Sequence, residues 1–352
     1  MKKFFLIAAI VLVASAACTK IETATPDQKI SFNAANFVPQ TRANVSLKAD
    51  TETFKSKAYL HAVGVQTVQD FFGTDGETIT YNGSDAWLPS RDYYWPKSAD
   101  SYINFVSWFT AGSVTSTVTE TSIKFQLNNL SATDNVMWAD EAWGYKQNAE
   151  TYKFDGVTEG VPTLFHHALS KIAINAKVTK ASEGNTTWDV TLENITLDNI
   201  FLAAHLELAN TAPAAADMPT TVAYTTSGWV GDNSAGFGIS NSSVLTTTNA
   251  EVLAERSVIP MDLARTTSSA TIYTTLNFKV RIVTKYDGTQ YSEEVIPMSV
   301  KLSTLGTTPI TAWEMNTKYI YNIEVNPETQ IVKFDPAVID WTEVTAPTIE
   351  VK

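Results

Sequence analysis

The chain shows a period-two alternation of apolar and polar residues that recurs in short runs along its length. Residues 30–34 and 123–127 alternate in this way, and isoleucine, alanine and valine occupy every second position of residues 172–178. Alternation with this period places apolar side chains on one face of a β-strand, whereas an amphipathic helix needs a period of 3.6 residues. No segment shows convincing helical periodicity beyond about one turn. The sequence therefore predicts an all-β fold.

Turn residues separate these runs at spacings that predict antiparallel hairpins. Asp287–Gly288 lies between the runs 277–283 and 291–300, and Asp-Gly favours a type I′ turn because both central residues need a positive φ. Asn326–Pro327 marks a second, final hairpin. Many short strands with little helix between them are typical of antiparallel β-sandwiches, rather than of a parallel sheet with crossover helices.

The length of the chain is sufficient for two domains. Removal of residues 1–17 from the 352 residues leaves 352 − 17 = 335, and such a length lets two domains each bury a core. No repeat of fixed period is present, and residues 156–162 are the candidate connection between the domains. The predicted organisation is a signal peptide at 1–17, a lipidated propeptide at 18–42, an N-terminal β-sandwich at 43–160, a C-terminal β-sandwich at 161–341 and a final segment at 342–352.

The first eighteen residues have the pattern of a lipoprotein signal peptide. Lys2 and Lys3 precede the apolar run Phe4–Val13, which has the length of a signal-peptide core and is short for a membrane span. Small residues then lead to Cys18, the single cysteine of the chain. This arrangement resembles a lipobox, although Ser15 stands where leucine is commonest. We predict a lipid on Cys18, rather than an ordinary signal peptide with an incidental cysteine.

The charge of the chain argues against some partners. The formal net charge is −12 at pH 7, and loss of Lys2 and Lys3 makes it −12 − 2 = −14. Proteins that bind nucleic acid or anionic lipid usually carry clusters of lysine and arginine, and the sequence has no such cluster. We therefore expect no nucleic-acid partner.

The histidines do not form a recognised catalytic or metal-binding pattern. His166 and His167 are adjacent, so on a strand they would point to opposite faces and could not share a metal ion. His61 and His205 each stand alone. No motif for a hydrolase nucleophile, a zinc protease, a phosphate-binding loop or a calcium loop occurs. We predict that the chain is not an enzyme and needs no metal or cofactor.

Aromatic residues allow a second interpretation. The acidic pair Asp140–Glu141 lies between Trp138 and Trp143, and a glycosidase needs two carboxylates across a sugar. With 37 acidic residues in the chain, such a pair is an expected coincidence. Exposed tryptophan rings could instead bind a glycan by stacking, whereas buried rings would fill a core. Two or more coplanar exposed rings near Trp138 and Trp143 would favour a glycan-binding protein.

Three groups of residues occur in an order that is similar to that of a known family. The first is Tyr94–Pro96 with Tyr102–Phe109, the second is Phe165–Ile172, and the third is Trp313–Tyr319 followed by Ile339–Trp341. Together with the lipobox, these segments resemble the fimbrillin family, the Mfa-like subunits of the type V pili of Bacteroidales. The resemblance covers nearly the whole precursor.

The resemblance implies a mechanism of assembly. Fimbrillins are exported as lipoproteins with two transthyretin-like β-sandwich domains in tandem. An arginine-specific protease cuts after an arginine early in the mature chain and removes an N-terminal strand. The groove that is left accepts a strand from a neighbouring subunit, and in shaft subunits this donor strand comes from the C-terminus.

Each step of that mechanism has candidate residues in this chain. Arg42, followed by Ala43, is the candidate cleavage site, because no other arginine lies between the signal peptide and Arg91. The surrounding residues have the composition of an exposed loop. The candidate residues of the displaced strand are Ile30, Phe32, Ala34 and Phe37, and those of the donor strand are Val344, Ile349 and Val351.

The resemblance predicts a structural subunit of a surface pilus that mediates cell adhesion. Its partners would be neighbouring subunits in a head-to-tail polymer and the arginine-specific protease. The precursor would be an outer-membrane lipoprotein and the product a cell-surface fimbrium. Two alternatives stay open, a surface glycan-binding lipoprotein and a pilus tip adhesin that accepts a strand but gives none. The second is open because Pro347 lacks an N–H and would interrupt a donor strand.

Overall fold

The computed structural model describes residues 29–36, 45–47, 51–83, 86–98, 100–146, 153–154, 158–214, 218–231, 234–240, 243–248, 250–306 and 309–340. Within these residues the regular structure is β-strand, with a short 3-10 turn at Leu302–Thr304 and no α-helix. The predicted all-β class is therefore confirmed. Thr, Val, Ile and aromatic residues dominate the strands because their branched or flat side chains pack well on a pleated surface.

The strands are numbered in chain order. Those of the first half are β1 (Phe32–Asn36), β2 (Val45–Ser46), β3 (Thr53–His61), β4 (Gln69–Asp70), β5 (Glu77–Tyr81), β6 (Trp87–Pro89), β7 (Tyr102–Ala111), β8 (Val114–Val118), β9 (Ser122–Leu127), β10 (Asn135–Ala139), β11 (Glu141–Tyr145), β12 (Lys153–Phe154), β13 (Thr158–Glu159) and β14 (Val161–His167). Those of the second half are β15 (Ser170–Val178), β16 (Thr186–Phe201), β17 (Ala204–Ala209), β18 (Thr220–Val222), β19 (Thr225–Thr226), β20 (Val230–Gly231), β21 (Ser234–Ile239), β22 (Ala250–Val258), β23 (Met261–Asp262), β24 (Ala264–Thr266), β25 (Thr271–Tyr273), β26 (Thr275–Tyr286), β27 (Thr289–Lys301), β28 (Ala312–Trp313), β29 (Thr317–Asn326) and β30 (Ile331–Asp340).

The largest sheet closes on itself. Its hydrogen-bonded order runs β7-β10-β14-β1-β6-β5-β3, and β3 pairs in turn with β7. We call this closed set of strands the ring. Inward side chains such as Phe54, Phe105 and Phe165 fill it and form the first core. The strand β1 is thus one member of a closed sheet, and its side chains belong to the core inside.

A second core covers the outer face of the ring. Here a smaller sheet, in the order β19-β17-β9-β8, packs on the ring. Val106 and Trp108 of β7 meet Phe125 of β9 and Leu206 of β17 in this layer. Because successive residues of a strand point to opposite faces, β7 serves both cores.

A third core lies between two four-stranded sheets of the second half. These sheets have the orders β22-β15-β29-β30 and β21-β16-β26-β27. Their facing side chains include Ile174, Leu192, Phe278 and Tyr321. Two sheets that bury one face each against the other form the β-sandwich arrangement.

The local predictions agree with the structure. In β9, Ile123, Phe125 and Leu127 are each 0% exposed, while the residues between them face solvent. The turn between β26 and β27 has φ values of 48° at Asp287 and 76° at Gly288, as a type I′ turn requires. The last hairpin is also present as β29 and β30.

Long-range pairing differs from the simple expectation of antiparallel neighbours. Among the described strands, β1 pairs with β14 in parallel, and β15 pairs with β29 in parallel. Strands that follow residue 160 also complete the first half, because β14 pairs with β10, β17 with β9, and β18 with β11. Residues of the range predicted as the C-terminal sandwich therefore contribute to the first and second cores. The division at residue 160 itself stays a prediction.

Candidate functional site

The strand β1 is held in the ring by backbone hydrogen bonds on both sides. It pairs in parallel with β14 over five residue pairs, from Phe32 with Val161 to Asn36 with Phe165. On its other side Phe32 pairs with Trp87 of β6. Main-chain bonds extend this pairing past the start of β1, because the N–H of Ile30 donates to the carbonyl of Tyr93 at 2.8 Å. The strand therefore fills a gap between β14 and β6.

The side chains of this segment are buried in the first core. Ile30 and Phe32 are each 1% exposed and Ala34 is 8% exposed, and they lie two residues apart, as one face of a strand requires. The ring of Phe32 meets Phe54 edge-on at 5.7 Å and Phe105 at 5.4 Å between centroids. Full burial of a large apolar side chain contributes about 1.5–3 kcal/mol. The segment is thus an integral part of the core.

Gly160, which directly precedes β14, lets the backbone at the start of β14 come close to β1. A Cβ atom at this position would lie 3.0 Å from the carbonyl carbon of Phe32 and 3.1 Å from the nitrogen of Asn33. The φ of Gly160 is +156°, which side chains of L-residues rarely adopt. The N–H of the next residue, Val161, donates to the carbonyl of Ser31 at 2.8 Å. A glycine at this place is needed for the close pairing of the two segments.

Loss of β1 would leave a groove in the ring that another strand could fill. β1 is joined to the ring by hydrogen bonds and apolar contacts, and its chain connection to the rest of the fold passes through residues 37–44. If β1 left, β14 and β6 would present unpaired N–H and C=O groups along an apolar groove. Such an edge is a template for another strand.

The structure covers only some of the residues predicted for the site. Ile30, Phe32 and Ala34 lie together in the core as described, and the expectation that they form one strand face is met by their burial. The remaining predicted residues lie outside the described residues; they are Cys18, Phe37, Arg42, Ala43, Val344, Ile349 and Val351.

The two tryptophans beside the acidic pair do not supply the exposed rings that glycan stacking needs. Trp138 is 8% exposed and Trp143 is 4% exposed. The ring of Trp138 stacks on His166 with 5.3 Å between centroids. The acidic pair is also separated, because Asp140 contacts His166 at 3.1 Å, while Glu141 points into the protein. The condition for the glycan-binding alternative is therefore not fulfilled near these two rings.

Sequence reasoning missed a buried polar cluster around Glu141. This side chain is 0% exposed and accepts a hydrogen bond from the amide of Asn210 and one of 3.5 Å from the hydroxyl of Tyr224. Burial raises the pKa of Glu141 to about 9, and the charge of Glu120 acts in the same direction. Asn210 and Tyr224 belong to the segment that returns to the first half, so no local pattern could reveal the cluster.

Two properties of the described part of the chain bear on other functions. Among these residues, no group of three or more His, Cys, Asp or Glu side chains could hold a metal ion. They also include no helix whose length and apolar character would suit it to cross a membrane.

These features define an all-β protein whose first core is completed by a strand from near the N-terminal end of its chain. The sequence model of the fimbrillin-like family matches residues 41–341. The chain belongs to this family. No curated protein matches the sequence.

Two of the solved structures that are similar to this chain come from Bacteroides species. A fimbrial protein from Bacteroides vulgatus ATCC 8482 has a TM-score of 0.54 at 15% identity, over 90% of this chain and 100% of that one. A candidate cell adhesion protein from Bacteroides uniformis ATCC 8492 has a TM-score of 0.47 at 14% identity, over 89% of this chain and 98% of that one. At such identities the likeness to the first structure shows a shared fold.

Proposed function

We propose that this protein is a structural subunit of a type V surface pilus that assembles by protease-triggered strand exchange and mediates cell adhesion. Membership of the fimbrillin-like family and the fold shared with a fimbrial protein support this function. The observation that carries the mechanism is the position of β1. It is a buried member of the ring, yet its covalent connection to the strands that follow runs through residues 37–44 alone.

Before cleavage, β1 blocks its own groove. A strand in the same chain has a high effective concentration at its site, so a strand from another molecule competes poorly. Cleavage after Arg42 leaves β1 bound by non-covalent contacts alone. Its loss then becomes a dissociation, which dilution and competition by a donor strand can drive.

The vacated groove favours one kind of partner. A donor strand would restore the backbone pairing with β14 and place alternate apolar side chains in the pockets of Ile30, Phe32 and Ala34. The proposed donor is the segment 342–352, with Val344, Ile349 and Val351 as its apolar residues. Because the groove of one subunit takes the end of the next, the contact is head-to-tail and generates an open fibre.

Replacement of Arg42 tests the proposed trigger. We expect an Arg42→Ala protein treated with an arginine-specific protease to stay monomeric, because β1 remains tethered, while the wild type forms filaments visible by electron microscopy. Arg91→Ala is the matched control, since Arg91 is exposed and replacing it should leave assembly intact. Filaments from Arg42→Ala that still carry residues 18–42, detected by mass spectrometry, would contradict the mechanism.

The location of the precursor follows from Cys18. We propose that its sulfur carries a lipid that holds the precursor at the outer membrane before processing, and that the processed subunit becomes part of a cell-surface fimbrium. Radiolabelled palmitate should enter the wild-type precursor and not a Cys18→Ala variant. Equal labelling of the two proteins would remove the lipid anchor from the proposal.

A further inference from the structure

A polar groove lies on the outside of the first half, away from the strand β1. Its volume is about 430 Å³. The floor is the outer face of the ring, from which Lys55 and Lys57 of β3 and Trp108 of β7 contribute. One wall is the strand β8, which pairs with β9 on its other side. The turn that contains Thr74 and Asp75 also lines the groove.

The edge of β8 that faces this groove is only partly occupied. The carbonyl of Val118 accepts hydrogen bonds from the amine of Lys57 at 3.2 Å and from the hydroxyl of Tyr59 at 3.4 Å. This carbonyl therefore points away from β9. Alternate residues of an antiparallel strand direct their N–H and C=O groups to the same side, so the backbone of Ser116 faces the groove as well.

Most of the polar side chains that line the groove are free. Within the described part of the chain, neither Lys55 nor Asp75 forms an ion pair or a hydrogen bond. The same holds for the four hydroxyl groups of the lining, which belong to Thr74, Thr110, Ser116 and Thr117. The groove thus combines a free amine, a free carboxylate and free hydroxyls within one concave surface.

We propose that this groove binds an acidic sugar, a pyranose that carries a carboxylate. The carboxylate of the ligand would pair with the ammonium of Lys55, which is a strong, charge-assisted contact. The sugar hydroxyls would donate to Asp75 and exchange hydrogen bonds with the threonine and serine hydroxyls. Two lysines and one aspartate give the groove a local charge of 2 − 1 = +1. This local charge favours an acidic sugar over a neutral one, although the whole chain is acidic with a net charge of −12.

The site differs from an aromatic stacking platform. Trp108 is 6% exposed, so it closes the floor and presents little ring surface. Recognition by the groove is therefore mainly polar, and such contacts give modest net energies because each one replaces a contact with water. If the proposed fibre forms, a groove repeated in every subunit would raise the avidity for a polymeric ligand without any new contact. That last step alone rests on the proposed function.

Binding by the monomer tests the site independently of assembly. The purified, uncleaved protein is titrated with galacturonic acid trisaccharide, and amide shifts are followed by NMR. We expect the signals of Thr74, Asp75, Ser116 and Thr117 to move, and the neutral galactose trisaccharide to bind at least tenfold more weakly. A Lys55→Glu variant should lose at least tenfold in affinity for the acidic sugar.

A matched variant separates the groove from overall charge. Lys279→Glu makes the same charge change at an exposed strand lysine of the second half, and its affinity should equal that of the wild type. Equal weakening by both variants, unchanged binding by Lys55→Glu, a preference for the neutral sugar, or no shifts at 10 mM ligand would each overturn the proposal. Folding of both variants is checked by their melting temperatures, which should match the wild type because neither lysine has a polar partner among the residues that the structure describes.

Discussion

At the scale of single residues, Glu141 is a carboxyl group that is fully buried in the described part of the chain. Two oxygen atoms of this cluster, Oε1 of Glu141 and Oδ1 of Asn210, are buried without a hydrogen-bond partner among the described residues. A single proton on the carboxyl group would provide a donor for such an acceptor. The raised pKa, about 9, means that Glu141 holds this proton at neutral pH. A neutral side chain avoids the large cost of an uncompensated buried charge.

Glu141→Gln tests this protonation state. The folded protein keeps the proton up to about pH 9, whereas the unfolded chain loses it near the ordinary glutamate pKa of 4.5. The contribution of Glu141 to stability is therefore complete below pH 4.5 and is lost as the pH rises towards 9. An amide resembles the protonated acid and does not titrate. We expect the variant to be more stable than the wild type at pH 8, because unfolding of the wild type then releases the proton of Glu141, which costs the wild type about 1.4 kcal/mol of stability for each pH unit above the unfolded pKa.

Calorimetric melting at pH 5 and pH 8 measures the effect. The gain in melting temperature should be clear at pH 8 and small at pH 5, because at pH 5 the unfolded wild-type chain has lost only part of the proton that the folded state keeps. Glu207→Gln is the control, because this side chain is exposed and pairs with Lys124 at the surface, where ion pairs contribute little. A Glu141→Gln protein that loses stability at both pH values would show that the carboxylate is charged and compensated.

At the scale of elements, the sequence predicted those strands whose partners are close in the chain. The hairpin of β26 and β27 follows from Asp287–Gly288, because the turn residues set both the reversal and the register. The alternation of β9 follows from the burial of one of its faces. In both cases the information is local, so a pattern within about ten to twenty-five residues is enough to specify the element.

The partners of β1 could not be read in the same way. The alternation of Ile30, Phe32 and Ala34 predicts a strand with one buried face, and the structure has one there. Its parallel partner β14 begins at Val161, and no turn signal connects segments so distant in sequence. Shape complementarity in the first core, together with the absence of a Cβ at Gly160, selects this pairing. The resemblance to a family indicated the role of the strand, but not its neighbours.

The segment 204–231 was the least predictable part of the fold. Its strands β18, β19 and β20 have only two or three residues each, which is too short to show alternation. They belong to a stretch that leaves the third core and pairs with β9 and β11 of the first half. The buried contact between Glu141 and Asn210 is a product of this return, and it is a tertiary feature with no local signal.

At the scale of the whole molecule, the proposed acceptor and donor lie in different parts of the chain. The groove of β1 belongs to the first core, whereas β30 ends at Asp340 and pairs with β29 in a sheet around the third core. The segment 342–352 follows after one residue, Trp341. A change that abolishes strand donation should therefore leave strand acceptance intact, and the reverse should also hold, since sites far apart usually act independently. This separation permits a test with two complementary variants.

Deletion of residues 342–352 removes the proposed donor. We expect the truncated protein to melt close to the wild-type temperature and to form no filaments after protease treatment. If the segment instead pairs within its own fold, its loss should lower the melting temperature by several degrees, because a strand contributes more than about 1 kcal/mol. Filaments of normal length from the truncated protein would rule out this donor assignment.

A mixture of the two variants tests the polarity of assembly. The truncated protein, cut by the protease, has an open groove and no donor, whereas Arg42→Ala has a donor and a groove that β1 still occupies. Neither should associate alone. Because one protein supplies the groove and the other the strand, the mixture should yield one-to-one dimers and nothing longer, which analytical ultracentrifugation can measure. Added to cut wild-type protein, the truncated variant should also shorten the filaments, since it accepts a strand and offers none. A mixture that stays monomeric, or that grows into filaments, would contradict a head-to-tail exchange between this groove and this segment.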